Sequence, residues 1–184
     1  MADTNITKRA LAAALKELME HKAFEKISVS DICEACNMNR KSFYYHFKDK
    51  YDLVNWIFYS EFMPVIQCKE YETAWGLLDD LCRYFYKNRS FYRRTFAIEG
   101  QNSFSEYFRD IAASLIRDDL KNIFGEDKEI EFYVDFYADA YCIAVKRWLQ
   151  KKDCVSADEF ASLIKKCLVE VAESILKQRV KEEN

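Results

Sequence analysis

Apolar residues return every three or four positions along nearly the whole chain, the period of one helical face. Ile6, Ala10, Leu11, Ala14, Leu15, Leu18 and Met19 mark a first helix over about 5–21. His21 and Lys22 close it with charges that suit a helix C-terminus. Phe24 and Ile27 then turn the chain back beneath it. The run Ser28-Val-Ser-Asp31 predicts a short second helix, with Ser28 as N-cap and an acid three residues on. It ends near Cys36, since Asn37 tolerates the left-handed conformation that stops a helix. Met38 then plugs the core, and the Asn39 side chain caps a third helix, Arg40 to Phe47. Two short helices three residues apart predict a helix-turn-helix.

On a wheel of about 100° per residue, the third helix puts Phe43 and Phe47 together, against the first two helices. Lys41 and Tyr45 point nearly opposite, flanked by Ser42 and Tyr44, and Arg40 leads the first turn. These outer side chains all donate or accept hydrogen bonds, which suits the reading of a DNA groove. A fourth helix starts near Lys50 and runs through Leu53, Val54, Ile57, Phe58 and Phe62 to Pro64, which should kink or stop it. Further helices are expected over about 73–88, 90–98, 103–124, 130–152 and 157–180. Ser103-Phe-Ser-Glu106 and Ser156-Ala-Asp-Glu159 both match the capping box. The pattern predicts an all-α chain in two units. Residues 1–62 form a helix-turn-helix domain with the start of a linking fourth helix, and residues 63–184 form a helical regulatory and dimerisation domain.

Composition agrees: three glycines and one proline in 184 residues are too few for the turns that strands need. Half of the residues are hydrophobic, which excludes a disordered chain. Seven cysteines, an odd number scattered through apolar stripes, predict reduced thiols in a cytoplasmic protein. The N-terminus lacks a signal-peptide core, and no apolar run approaches the roughly 18 residues of a membrane span. Cys33-x-x-Cys36 has zinc or redox spacing, but with no second pair and no βαβ pattern it reads as core packing. No metal or cofactor is expected.

A net charge of −3 argues against a DNA-binding surface spread over the molecule. Residues 1–62 balance nine Lys/Arg against nine Asp/Glu, and within them 39–50 sets Arg40, Lys41, Lys48 and Lys50 against Asp49 alone. Any DNA contact should therefore be local. Two distant histidines, no phosphate-cradling glycine loop and no nucleophile beside a base give no enzyme. A helical carrier of hydrophobic ligands, without DNA, is the alternative of a different class.

The stretch EIEFYVDFYADAYCIAVKRWLQ (129–150) is apolar on more than one face, so it should pack against its own domain and against a second copy. The last helix adds a stripe from Phe160 through Leu163, Ile164, Cys167, Leu168 and Val171 to Ile175. Two such helices per subunit would make a four-helix homodimer interface. A ligand pocket would draw on the aromatics of the middle helices: Trp75, Phe85, Phe91 and Phe96, then Tyr107, Phe108, Tyr133 and Tyr137.

The run ISVSDICEACNMNRKSFYYHFKDKYDLV (27–54) resembles the DNA-binding domain of TetR-type transcriptional regulators, and the likeness covers about the first 62 residues. RWLQKKDCVSADEF (147–160) matches in outline the C-terminal region of regulators such as those of dihydroxyacetone kinase. This resemblance implies a dimer that sets two third helices in successive major grooves of a palindromic operator, on double-stranded DNA. Arg40, Lys41 and Tyr45 would reach base edges, and Ser42, Tyr44, His46 and Lys50 would bind phosphates. Ser28 and Ser30 would touch the groove edge, and Asn39 belongs to the same surface. The usual mechanism is repression relieved when a small molecule enters the C-terminal domain and tilts the fourth helix. Regulators of the dihydroxyacetone-kinase kind answer instead to a partner protein and can activate, for which the acidic stretch 126–139 would be a docking face.

Overall fold

The computed structural model describes residues 2–71, 73–100, 103–124 and 128–167. All regular structure among them is helical. Helix α1 spans Ala2–His21 and a 3-10 turn follows at Phe24–Lys26. Then come α2 Val29–Ala35, α3 Arg40–His46, α4 Lys50–Gln67 and α5 Ala74–Lys87. The chain continues with α6 Arg89–Thr95, α7 Phe104–Phe124 and α8 Ile130–Gln150. A last helix, α9, is described over 157–167. The expected stripe residues Leu168, Val171 and Ile175 lie outside the described residues.

Caps fix most of these boundaries. Ser28 and Asp31 form a full capping box: Asp31 N–H donates to Ser28 Oγ at 3.1 Å, and Ser28 N–H to Asp31 Oδ2 at 2.7 Å. Glu106 N–H donates to Ser103 Oγ at 3.4 Å and Glu159 N–H to Ser156 Oγ at 3.2 Å, as the capping-box pattern predicts. Of the two outcomes expected at Pro64, a kink or a stop, the stop does not occur: α4 runs on to Gln67. Proline removes a hydrogen bond to the turn before it but leaves its own carbonyl free, and Cys68 N–H donates to Pro64 O at 3.1 Å.

Asp31 also carries the chemistry of its cap. The Ser28 backbone N–H, the Lys22 ammonium and the Ser28 hydroxyl together hold its carboxyl down at about 2. A depressed carboxylate stabilises the fold fully above its unfolded value of 3.8 and loses that contribution as pH falls through about 2. Thermal melts between pH 4 and 2 are therefore expected to fall more steeply for the native chain than for Asp31→Asn, and parallel curves would refute the linkage.

One buried cluster runs from Leu11 of α1 through Phe43 and Phe47 to Phe160 and Ala161, so residues on both sides of position 62 share a core. Its centre is aromatic. Phe58 and Phe62 of α4 meet Tyr84 and Phe85 of α5, Tyr92 of α6, and Phe104 and Phe108 of α7. A second cluster lies between α7 and α8, where Ala112, Ala113 and Ala138 allow close approach around Leu120 and Val134. Ion pairs hold α9 to α5, from Lys165 to Asp79 at 2.7 Å and from Arg83 to Asp158 at 2.9 Å. No helix among the described residues is long and apolar enough to cross a membrane.

Candidate nucleic-acid interface

A helix of seven residues is too short to hold itself in water, so α3 must be fixed by its neighbours. Three local devices do this. The turn before it is closed by Asn37 at φ 54°, the left-handed backbone its sequence position demanded. Met38 N–H donates to Cys33 O at 2.8 Å and Asn37 N–H to Glu34 O at 3.2 Å, a Schellman ending that points Met38 into the core. At the head of α3, Asn39 Oδ1 accepts from Ser42 N–H at 2.8 Å and from the Ser42 hydroxyl at 3.2 Å. Beneath, Phe43 and Phe47 are 0% and 3% exposed, with their rings 5.8 Å apart and Phe47 edge-on to Trp56 of α4 at 5.7 Å.

The opposite face is open. Tyr45 is 81% exposed, Tyr44 is 51% exposed, and Arg40 and Lys41 are both exposed. Arg40 lies 5.8 Å from the centre of the Tyr44 ring and donates to its hydroxyl at 3.4 Å, so the two are aimed as a pair. His46 is half-buried and sits edge-on to the Tyr45 ring at 4.9 Å. Thr7 of α1 joins Asn39, Lys41, Ser42, Tyr45 and His46 in lining a shallow groove of about 280 Å³. Sequence reasoning gave no sign of Thr7, because only the tertiary approach of α1 brings it to α3.

Several side chains expected at the DNA are engaged within the protein. The Lys50 ammonium donates to Phe24 O at 2.7 Å, Ile27 O at 2.8 Å and Glu25 O at 3.3 Å, and lies 4.4 Å from the Phe24 ring centre. All three of its donors are engaged, so it ties the turn between α1 and α2, and a phosphate would have to displace one of these carbonyls. Partial burial lowers its pKa. The Ser28 hydroxyl donates to Asp31 Oδ2 at 2.8 Å while accepting from Asp31 N–H, so it serves the cap. Asn39 and Ser42 are likewise turned toward each other, which leaves the Asn39 amide nitrogen as the outward donor of that pair. Ser30 is half-buried on the first turn of α2.

Cys33 is buried, and Cys36 is half-buried with its thiol donating to Ile32 O at 3.2 Å. Burial raises both thiols, which keeps them protonated and unreactive.

Residues 10–57 match the model of bacterial regulatory proteins of the tetR family, and residues 72–170 match a transcriptional regulator C-terminal region. The chain belongs to the TetR family of transcriptional regulators. It is 31% identical over 134 residues to the HTH-type dhaKLM operon transcriptional activator DhaS of Lactococcus lactis subsp. lactis (strain IL1403), spanning 72% of this chain and 69% of that protein. A solved structure titled dihydroxyacetone kinase operon activator DhaS superposes with a TM-score of 0.65 at 29% identity, over 90% of this chain and 95% of that one. A TetR transcriptional regulator from Streptococcus agalactiae 2603V superposes with a TM-score of 0.68 over 88% and 93% of the two chains. At 19% identity that likeness shows the fold alone. In this TetR-family regulator the matched N-terminal region contains the whole of α2 and α3, so the exposed face of α3 lies inside the segment that defines the family.

The C-terminal candidates for a ligand pocket fall in three places. Phe85, Phe96 and Phe108 are 0% exposed and meet one another at 5.0–5.7 Å, inside the aromatic centre. Phe91 and Tyr107 are half-buried at its edge, while Tyr133 and Tyr137 are half-buried against the second cluster between α7 and α8. Trp75 is 36% exposed at the start of α5. The eight do not line one cavity.

Proposed function

We propose that this regulator works in the cytoplasm as a homodimer, with residues 1–62 reading a palindromic operator on double-stranded DNA and residues 63–184 dimerising and receiving the signal. One observation carries the DNA reading: Tyr45, Lys41 and Arg40 stand exposed on the face of α3 opposite the buried Phe43 and Phe47. Arg40, Lys41 and Tyr45 reach base edges in the major groove, while Tyr44, His46 and the Asn39 amide contact phosphates. Support for the dimer comes from α8, where Phe132, Phe136 and Ile143 are 67%, 58% and 47% exposed, and from Leu163 of α9 at 49%. A row of apolar side chains this open calls for a second surface.

Control through the surface of the C-terminal half, by a partner protein, fits the structure better than a ligand in the core. The rings of Phe58, Phe85, Tyr92, Phe104 and Phe108 are in mutual contact and closed to solvent. The similarity to an operon activator points the same way. Repression relieved by a small molecule is the second reading, favoured by the half-burial of Phe91 and Tyr107, where the core would have to open.

The test combines footprinting upstream of the chain's own gene with sedimentation. The expected result is one protected palindrome whose half-sites lie about one helical turn apart, and a mass twice the 21.9 kDa of the chain. Binding that is weak, indifferent to sequence and abolished by salt would favour the hydrophobic carrier. A mass of 21.9 kDa at working concentration would overturn the dimer.

A further inference from the structure

Helix α6, RSFYRRT, carries three arginines in seven residues. Their surroundings differ from those of Arg83, Arg109 and Arg117. Arg83 pairs with Asp80 and Asp158, Arg109 with Asp110, Asp135 and Asp139, and Arg117 with Glu131. Within the acidic stretch 126–139, Glu131, Asp135 and Asp139 are thus paired with the protein's own cations. On α6 no such pairing occurs among the described residues. Arg89 donates to Tyr86 O at 3.2 Å and stacks 4.9 Å above the Tyr86 ring. That ring lies on Trp148 of α8 at 5.9 Å, and Trp148 lies flat on Phe160 of α9 at 4.2 Å. Arg93 donates to Gln150 O, at the end of α8, at 2.8 Å. Lys151 and Lys152 follow directly and are exposed.

Arg89 and Arg93 share one face a turn apart, so like charges are held together by aromatic and carbonyl contacts. Nearby acids in sequence are Glu99 and Asp153, both exposed. We propose that Arg89, Arg93, Lys151 and Lys152 form a docking surface for an acidic segment of a partner protein. Guanidinium forks match carboxylates in two parallel hydrogen bonds. Side chains already fixed on a ring stack and a helix end lose little freedom on binding. The operator backbone is a poorer occupant. Arg94 donates to Met19 O, which sets α6 at the C-terminal end of α1. Thr7, beside α3, lies twelve residues earlier, about 18 Å along the helix axis.

The surface deepens the reading of control by a partner, and its test is separable from DNA binding. Anisotropy of fluorescein-labelled polyglutamate is titrated with the full-length chain, with polyglutamine as the neutral control. Arg89→Gln/Arg93→Gln is expected to weaken polyglutamate binding about tenfold, and Arg89→Lys/Arg93→Lys to retain most of it. Lys151→Glu/Lys152→Glu, which leaves the ring stack untouched, is expected to match the glutamine pair. Operator affinity should stay unchanged in all three. Equal binding of polyglutamine, or equal polyglutamate binding by all variants, would overturn the surface. So would loss of polyglutamate binding in Arg40→Ala/Lys41→Ala, which would place the peptide on α3. A parallel fall in operator affinity and salt dependence would assign these cations to the DNA backbone instead. Native protein that binds polyglutamate in this way but no operator would sink the DNA reading and leave the surface standing.

Discussion

Phe43→Ala is expected to unfold the N-terminal half, while Tyr45→Ala, two positions on, leaves it folded and removes operator recognition. Phe43 of α3 is fully buried in the main core, and truncating such a ring removes burial and leaves a cavity, at a cost of about 3–5 kcal/mol. A domain is stable by only about 5–15 kcal/mol, so that loss takes a large part of the total. Tyr45 is 81% exposed, with its ring edge-on to His46. Its removal should leave the melting curve within about 0.5 kcal/mol of the native chain. Operator binding should weaken by about 1–3 kcal/mol for each half-site, with sequence preference relaxed there. Urea unfolding and mobility shift, run on both variants, separate the two effects. If Tyr45→Ala binds the operator as well as the native chain does, α3 is not the reading element.

The two faces of α3 were legible because each rests on local chemistry. Helical spacing puts Phe43 and Phe47 together, and Asn37 and Asn39 write the turn and the cap into two residue types. The destinations of Lys50 and Ser28 were not legible from the same pattern. A lysine at the head of a helix looks available for phosphate, and only the return of the 3-10 turn beneath it supplies the three carbonyls that occupy it. Ser28 shows the same limit from the other side: the cap that was predicted for it uses the hydroxyl that the groove contact would have needed. In the C-terminal half, the aromatic candidates lie on the middle helices, except Phe96, which caps the end of α6. Their division among a closed core, its edge and a second cluster depends on long-range packing that periodicity does not encode. The Arg89, Tyr86, Trp148 and Phe160 stack draws on four separate elements for the same reason.

Phe58→Ala is expected to have the largest effect in the aromatic centre, and it also decides how the signal enters. Phe58 is fully buried in α4 and its ring lies within 6.4 Å of seven others from α4, α5, α6 and α7. Removing it costs about 3–5 kcal/mol, with further loss from ring pairs worth about 0.5–1.5 kcal/mol each in favourable geometry. The helix it anchors starts at Lys50, four residues after α3 ends, so α3 should lose definition too. Operator affinity is therefore expected to drop along with stability, unlike in Tyr45→Ala. An apolar hole left in a tight core stays dry and accepts a small aromatic molecule. Benzene or indole should raise the melting temperature of Phe58→Ala by mass action and leave that of the native chain unchanged. If the native chain is stabilised equally, its aromatic centre already opens to ligands, and the small-molecule route to α4 displaces the partner-protein route. A ligand that fills the hole in the variant alone would place control of this regulator on its surface, because a core that admits nothing has no differential affinity with which to shift α4.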